Sequence, residues 1–428
     1  MKPYPFWLDT LPPSEPAPPA AVPAPLPARV DAAIVGAGYT GLTAARHLAR
    51  VGASVAVLER EAAGSGASSR NAGQVLTGLK VEPAALVHRY GEARARALFA
   101  SSLEAIETLE RIVAEDGIDC EYTRTGHLQA ASKPSHYDAF LRERDLLARV
   151  FQHDVRAVSR DAQAADLGSA RYFGLLIDER SGAINPARYV HGLAASARRA
   201  GAVLCERTTV QRITRAGSGW TVVTDRGDIA AGDVLVAANA YADAAAPFLQ
   251  RRFVPVGSYI VVTERLDRAV AGRLLPTRRM AFDSKHFLYY FRLTEDDRFL
   301  FGGRAEFSTP TTASTARAAA TLAAGLADVF PDLRGVRIEY AWSGQVAFTR
   351  DQLPRAGRID GLYYAGGYCG HGVAMATHLG LSIARRMAGE PLEHPLFDDR
   401  FAPIPFYDGR PWFLPLAGAY YRVRDFIE

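Results

Sequence analysis

Short apolar runs alternate with stretches of helical spacing at the start of the chain. Ala33, Ile34 and Val35 form a run that ends in glycine, residues 41–51 follow the helical period, and residues 54–58 make a second apolar run. Bounded runs of this length read as strands and the stretch between them as a helix. Further on, 83–116 reads as one or two helices, with Leu98, Ile106, Leu109 and Ile112 at helical spacing. Residues 121–131 alternate like a strand, 137–151 are helical, and 185–199 form another helix with Pro186 in its first turn. Strand patterns return at 203–206, 210–214, 220–224 and 233–238. Runs rich in Tyr, Phe and Val at 259–263, 287–293 and 299–303 predict an antiparallel sheet. Near the end, the apolar run 362–365 is broken by Gly366 and Gly367 and leads into a helix over 373–387.

The first of these units carries chemistry. Gly36 permits a tight turn, Gly38 lets backbone approach a pyrophosphate, and Gly41 lets the helix pack close to the strand. The helix start, with Tyr39 and Thr40, offers free amides and the positive dipole end to phosphates. Glu59, with Arg60 after it, closes the second strand about 20 residues on, where a carboxylate accepts hydrogen bonds from a ribose diol. An acid there repels the extra phosphate of NADP, which leaves NAD or FAD.

Composition bounds the rest. At 428 residues two domains are expected, and 48% hydrophobic with 22% charged residues is ordinary for a soluble globular protein. The net charge of +4 comes with lysines only at positions 2, 80, 133 and 285, and no basic tract suits nucleic acid. Cys120, Cys205 and Cys369 are widely spaced, which argues against a disulfide framework or a metal site and fits a reducing cytoplasm. No apolar run approaches the ~20 residues of a membrane span. Ten of the 25 prolines precede Ala28, so 14–27 should be an extended arm, anchored to the body by Tyr4, Phe6 and Trp7. It lacks the pattern of a signal peptide.

Residues 64–74, GSGASSRNAGQ, are too poor in apolar side chains for a buried element and should form a loop crossing the cofactor. Here the chain resembles the D-amino-acid oxidase and glycine oxidase superfamily of FAD enzymes, in which such a segment lies along the pyrophosphate, ribityl chain and flavin. The resemblance implies cofactor contacts from Ser68, Ser69, Arg70, Asn71, Gly73 and Gln74. It extends to Val210, to Ala238 and Asn239 in an "ATNA"-like strand, and to Gly367, Tyr368, Gly370, His371, Gly372 and Val373, where Cys369 replaces the usual serine. A helix start there would face the ring end on which negative charge develops. The segments 287–304, 340–357 and 363–376 are similar to the gamma-glutamylputrescine oxidoreductase branch, over nearly the whole chain. The implied fold class is mixed α/β, a Rossmann-type FAD-binding domain with an inserted antiparallel-sheet substrate domain. Its expected division is an arm at 1–28, an FAD domain at 29–82, 155–250 and 341–400, a substrate domain at 83–154 and 251–340, and an aromatic tail at 401–428.

Departures from the superfamily narrow the chemistry. The position of its carboxylate-binding arginine falls on Val346, the carboxylate-binding lysine of sarcosine oxidases falls on Ala374, and no cysteine lies between Glu206 and Tyr368 to hold a flavin covalently. FAD is therefore expected without a covalent link, and burying a carboxylate without a cation is costly. The expected substrate is a small amine with no carboxylate on the reacting carbon, which gives a hydride to the flavin and leaves as an imine that hydrolyses to an aldehyde. Oxygen or another acceptor takes the electrons; the oxygen-activating lysine of sarcosine oxidases falls on Phe301. His371, Tyr259 and Tyr289 are the expected site residues, with Tyr290 in an aromatic pocket and Arg292 and Arg304 as candidates for a distal carboxylate. A secondary or N-methyl amine oxidase, an amino-acid oxidase and a non-catalytic flavoprotein scaffold are the alternatives.

Overall fold

Residues 1–12, 25–303 and 310–427 are described by a computed structural model. Among them, two eight-stranded sheets dominate. The first runs Arg355–Ile359, Leu362–Gly366, Gly227–Val236, Arg29–Val35, Val55–Leu58, Val203–Cys205. The strand Arg29–Val35 pairs in parallel with both Val55–Leu58 and Gly227–Val236. Parallel strands are covered on both faces and so need continuous apolar side chains, and Val55–Leu58 is buried at every position. On one face lie the helices Tyr39–Arg50, Pro83–Asp116, Pro186–Arg199 and Gly372–Met387, packed around Leu42, Leu98, Leu109, Leu193 and Leu379. The other face is closed by the hairpin Val210–Ala216 and Gly219–Thr224, with Trp220, Val222, Leu249 and Phe253.

The second sheet runs Ile338–Phe348, Val254–Arg265, Arg298–Gly303, Tyr289–Leu293, Met280–Asp283, His127–Ala130, Gly174–Asp178, Arg156–Ser159. It is antiparallel, as expected, except where Met280–Asp283 pairs in parallel with His127–Ala130. The helix Thr312–Val329 packs on one face against Tyr259, Val261, Phe291, Phe299 and Phe301. The opposite face carries Ile260, Val262, Leu300 and Trp342, packed with Phe6 and Trp7. The period of two in a strand sends neighbouring residues to opposite faces.

Four segments sit elsewhere than expected. Arg156–Ser159 and Gly174–Asp178 were assigned to the nucleotide side, but Gly174–Asp178 is the antiparallel partner of His127–Ala130 and belongs to the second sheet. Ile338–Phe348 pairs with Val254–Arg265 in that same sheet. Conversely, Pro83–Asp116 packs its Leu98, Ile106 and Leu109 stripe with the nucleotide-side helices. It is two helices in one, broken at Gly91, whose φ of 74° and ψ of 162° are not helical. The expected strand over 121–131 is confined to His127–Ala130.

Phe6 and Trp7 are buried and Tyr4 is half-buried, as an anchor requires, while 13–24 of the proline-rich arm lie outside the described residues. No helix among the described residues is long and apolar enough to cross a membrane.

Candidate functional site

A cavity of about 550 Å³ opens where the first sheet's central strands end. A smaller one, about 180 Å³, lies against the second sheet. The two share Arg70, Asn71, Gln345, Val346, Cys369 and Gly370, so they are one space with a junction. The larger part is lined by Gly36, Gly38, Tyr39, Thr40, Glu59, Arg60, Ser68, Val210, Ala238, Asn239, Tyr368, Gly372 and Val373. Gln74 and His371 line only the smaller part.

The glycine turn shows why those residue types are needed. Gly36 has φ +105° and a side chain there would press on the carbonyl of Ala237. A Cβ on Gly38 would meet Ser68 Oγ at 2.9 Å, at the mouth of the helix Tyr39–Arg50. Gly41 does not line the cavity; its Cβ would lie 2.0 Å from the carbonyl oxygen of Gly36, so it sets the distance between helix and strand. Glu59 accepts from the Ala37 amide at 2.9 Å and from the Glu61 amide at 3.0 Å, which fixes its carboxylate on the cavity wall.

The 64–74 segment is a loop held by its own polar groups. Asn71 donates to the carbonyls of Ala67 (3.0 Å) and Ser68 (3.1 Å), and its Oδ1 accepts from the Gly73 amide at 2.8 Å. Arg70 donates from Nε to the Ser65 carbonyl at 2.8 Å and from Nη1 to the Ser343 carbonyl at 3.2 Å, tying the loop to the second sheet. Ser69 and Gly73 were expected at the cofactor but line neither cavity. Ser69 is buried, donating to the Gly64 carbonyl at 2.7 Å; Gly73, at φ +71°, has no room for a Cβ beside the Ile184 carbonyl 2.1 Å away.

The third block closes the junction. Cys369 at φ 53° and Gly370 at φ 97° turn the chain into the helix Gly372–Met387, whose first-turn amides have no partner within the helix. Gly367 stands behind this turn and off the cavities, its amide donating to Asn239 Oδ1 at 2.9 Å. Tyr368 and Thr40 share a hydrogen bond of 2.6 Å, which joins the two glycine-rich turns. Cys369 is buried, bonded to the Gly367 carbonyl at 3.1 Å, and burial pushes its thiol up to about 11. Such a thiol stays protonated and unreactive.

On the substrate side several expectations fail. Tyr259 is 1% exposed and shares a 3.2 Å hydrogen bond with Ser314 of the helix Thr312–Val329, on the sheet face away from the cavities. Tyr289 also points to that helix, its hydroxyl lying beside Gly325, with Lys285 Nζ 3.9 Å over its ring. One residue further on, Tyr290 does line the smaller cavity. Phe301 stacks on Phe291 in the helix-side core, so the position laid on an oxygen-activating lysine does not face the site. Arg292 is buried and donates to the carbonyls of Leu293, Ala72, Gly73 and Ile184; it pins the loop instead of waiting for a substrate. Arg304 lies outside the described residues. Val346 lines both cavities, so the position expected for a carboxylate-binding arginine is at the junction and is apolar.

Sequence reasoning missed Tyr241, Gln345 and Lys80. Tyr241 lines the larger cavity, two residues after Asn239 in the same turn, and that adjacency was the available signal. Gln345 lies beside Val346 at the junction, its amide donating to the Tyr241 hydroxyl at 3.4 Å. Lys80 lines the smaller cavity from a loop that carries no motif.

The larger cavity fits a dinucleotide: glycines where a Cβ would obstruct, two helix starts for phosphate and ring, and a fixed carboxylate for a ribose. Comparison with known proteins agrees. The family model described as DAO, FAD dependent oxidoreductase, matches residues 31–386. The chain is 34% identical over 404 residues to gamma-glutamylputrescine oxidoreductase of Escherichia coli, covering 92% of each chain. It is 32% identical over 409 residues to a Rhizobium meliloti protein named probable oxidoreductase OrdL, covering 93% of this chain and 92% of that one. Among solved structures, glycine oxidase from Geobacillus kaustophilus superposes with a TM-score of 0.76 at 23% identity, over 89% of this chain and 99% of that one, which shows a common fold. The chain belongs to the DAO family of FAD-dependent oxidoreductases.

Proposed function

We propose that this chain oxidises the carbon–nitrogen bond of an amine that carries no carboxylate on the reacting carbon, with gamma-glutamylputrescine-like amines as the substrate class. The observation that carries this reading is Val346 at the junction of the two cavities. An α-amino acid would bring its carboxylate there, and an anion set against an apolar wall is penalised unless a cation with free donors receives it. Arg292 cannot substitute, because it lines neither cavity and its Nε and Nη1 are bonded to backbone carbonyls. The nearer guanidinium, Arg70, is held by the Ser65 and Ser343 carbonyls.

FAD, once bound, supplies the acceptor for the two electrons of the C–H bond next to nitrogen. The protein's part is position and electrostatics. Gly36, Gly38 and the start of Tyr39–Arg50 would hold the pyrophosphate, Glu59 the ribose, and the first turn of Gly372–Met387 would stabilise negative charge developing on the ring. A cysteinyl link to the flavin is not expected: of the three cysteines only Cys369 lines the cavities, and burial pushes its thiol up to about 11. The smaller cavity is lined by Arg70 and Lys80 and, among the described residues, by no Asp or Glu. A positive wall disfavours an ammonium and so favours the neutral amine, which is the form that can give up a hydride. His371, the N-cap of Gly372–Met387, lines the smaller cavity, where it would position the amine.

The test is anaerobic bleaching of the flavin's visible absorbance in the holoenzyme by putrescine derivatives, primary monoamines, N-methyl amines and D-amino acids. Amines without an α-carboxylate are expected to bleach it. Full activity on glycine or D-alanine overturns the reading, and bleaching by N-methyl amines alone moves it to a demethylating oxidase.

A further inference from the structure

The aromatic tail of the sequence carries the helix Leu414–Ile427. Its inner side is fixed to the body. Leu414 is buried with Val254, Val256 and Tyr407, and the Asp425 carboxylate accepts from the amides of His286 at 2.7 Å and Phe287 at 2.8 Å. Val256, and Leu288 next to Phe287, line the smaller cavity, so both anchors join the helix to segments of that wall.

The outer side faces solvent. Among the helix's described side chains the exposed ones are Pro415, Leu416, Ala419, Tyr420 and Val423, and none is charged; Arg424 and Asp425 are half-buried. Trp412, just before the helix, extends the row. Trp412, Leu416, Ala419 and Val423 are spaced by four, three and four residues, which is the seam that one helix offers another in a coiled coil. Trp412 is 67% exposed, Leu416 68%, Tyr420 57% and Val423 57%. At roughly 150–250 Å² for each large side chain, that leaves on the order of 500 Å² of apolar surface per copy, and about 1,000 Å² where two copies meet, the size at which a specific interface begins. A contiguous apolar patch of this kind marks an interaction surface.

Charge decides between a protein surface and a lipid one. The tail sets Asp408, Asp425 and Glu428 against Arg410, Arg422 and Arg424, three acids and three arginines, so it has no basic excess for an anionic bilayer. A single helix face meets its own copy about a twofold axis without needing a second patch, and twofold pairs are the commonest assemblies.

We infer that the outer face of Leu414–Ile427 is a dimer contact, pairing antiparallel with the same helix of a second copy about an axis near Ala419. Leu416 of one copy packs on Val423 of the other. Ala419 lies at the axis, where a small side chain lets the helices approach, and Trp412 and Tyr420 cover the margins.

The experiment is sedimentation velocity of the FAD-loaded enzyme between about 0.1 and 50 µM, a range in which a contact of this size assembles. A species of twice the chain mass is expected at the upper end, and the double variant Leu416→Glu with Val423→Glu reduces it to the chain mass throughout. A wild type that stays a single chain at the highest concentration, or a dimer that the double variant leaves intact, overturns the assignment. FAD content and melting temperature exclude misfolding of that variant.

Ala419→Cys gives a reading that stands even where the double variant fails to fold. Cys120, Cys205 and Cys369 are buried, so a short bismaleimide added to the Ala419→Cys holoenzyme joins two chains at that position alone. Absence of a linked dimer overturns the contact. Flotation with vesicles of phosphatidylcholine and phosphatidylglycerol covers the lipid alternative: the holoenzyme stays in the soluble fraction, and flotation that the double variant abolishes overturns the dimer.

Discussion

The indole nitrogen of Trp7 donates a hydrogen bond of 2.9 Å to the carbonyl of Asn71, so a residue of the N-terminal segment holds the loop that crosses the junction. Asn71 uses its side chain to close that loop, and Trp7 takes its backbone carbonyl. Trp7 is 1% exposed and packs with Phe6, Ile260 and Trp342. Trp7→Phe keeps most of the packing and loses the bond, so it should cost about 1 kcal/mol of stability. Trp7→Ala should cost about 3–5 kcal/mol. Both should weaken FAD retention, measured as a dissociation constant by flavin fluorescence. Unchanged FAD affinity in Trp7→Ala would separate the N-terminal segment from the loop.

Gly41 and Gly272 give opposite predictions for one substitution. A Cβ at Gly41 lies 2.0 Å from a backbone oxygen, Gly36 O, and neither backbone can yield without moving the turn that takes the pyrophosphate. Gly41→Ala should therefore purify without flavin or fail to fold. Gly272, inside the helix Arg268–Leu274, has nothing within 4 Å of a built Cβ, and Gly272→Ala should stabilise by about 0.5–1 kcal/mol with FAD content unchanged. Absorbance spectra and thermal melts of the two variants read both outcomes.

The nucleotide half was legible because its determinants are local. Gly36, Gly38, Gly41 and Glu59 lie within one strand–helix–strand unit, and Gly38, Gly41 and Glu59 do their work against a neighbour in that unit or the loop after it, while Gly36 works against the distant Ala237. The substrate half depends on facts that sequence does not carry. Aromatic strands were visible at 259–263 and 287–293, but a one-residue change of face decides whether Tyr289 or Tyr290 reaches the cavity. Arg292 looked available because its four carbonyl partners come from separate parts of the chain. Lys80 was passed over because a lysine in a short loop has no pattern; only the burial of Leu79 and Val81 turns it inward. The expected placement of 155–178 with the nucleotide domain fails because Gly174–Asp178, with Arg156–Ser159 on its other edge, pairs with His127–Ala130 across an intervening helix.

Arg292 should behave as a structural residue. Burial lowers its guanidinium to about 10, yet it stays charged at neutral pH and donates to carbonyls at 3.0, 3.2 and 3.4 Å on the Ile184 and 72–73 segments. Arg292→Met fills the space but leaves those oxygens without their cationic donor, at a cost of about 2–4 kcal/mol. Denaturant unfolding should show that loss, while KM for an amine substrate stays near the wild-type value. A raised KM with intact stability would return Arg292 to the substrate site.

Acid should loosen the contact between two helices and the segment after them. His378, on Gly372–Met387, shares a 2.9 Å hydrogen bond with Thr108 of Pro83–Asp116 through Nδ1 and a 3.0 Å hydrogen bond with His394 through Nε2. Burial lowers His378 to about 3, helped by His394, Arg111 and Arg385, and burial lowers His394 to about 4. Both imidazoles are neutral in the fold. Below about pH 6.5 the unfolded chain takes up protons that the folded one refuses, so stability is full above that pH and falls as pH drops toward 4. Asp178 acts in a lower window. Burial works to raise it, but the 2.6 Å bond to His153 and the nearby charges outweigh that and hold it at about 2, so its contribution is lost only as pH falls from about 3.8 toward 2. His394→Gln keeps a hydrogen-bonding group and removes one titration. Melting temperature against pH should therefore decline less steeply between about pH 6.5 and 4 in His394→Gln than in the wild type, with the limb below pH 3.8 unchanged. Identical slopes in the upper window would mean that the histidine pair does not set the acid sensitivity of this fold.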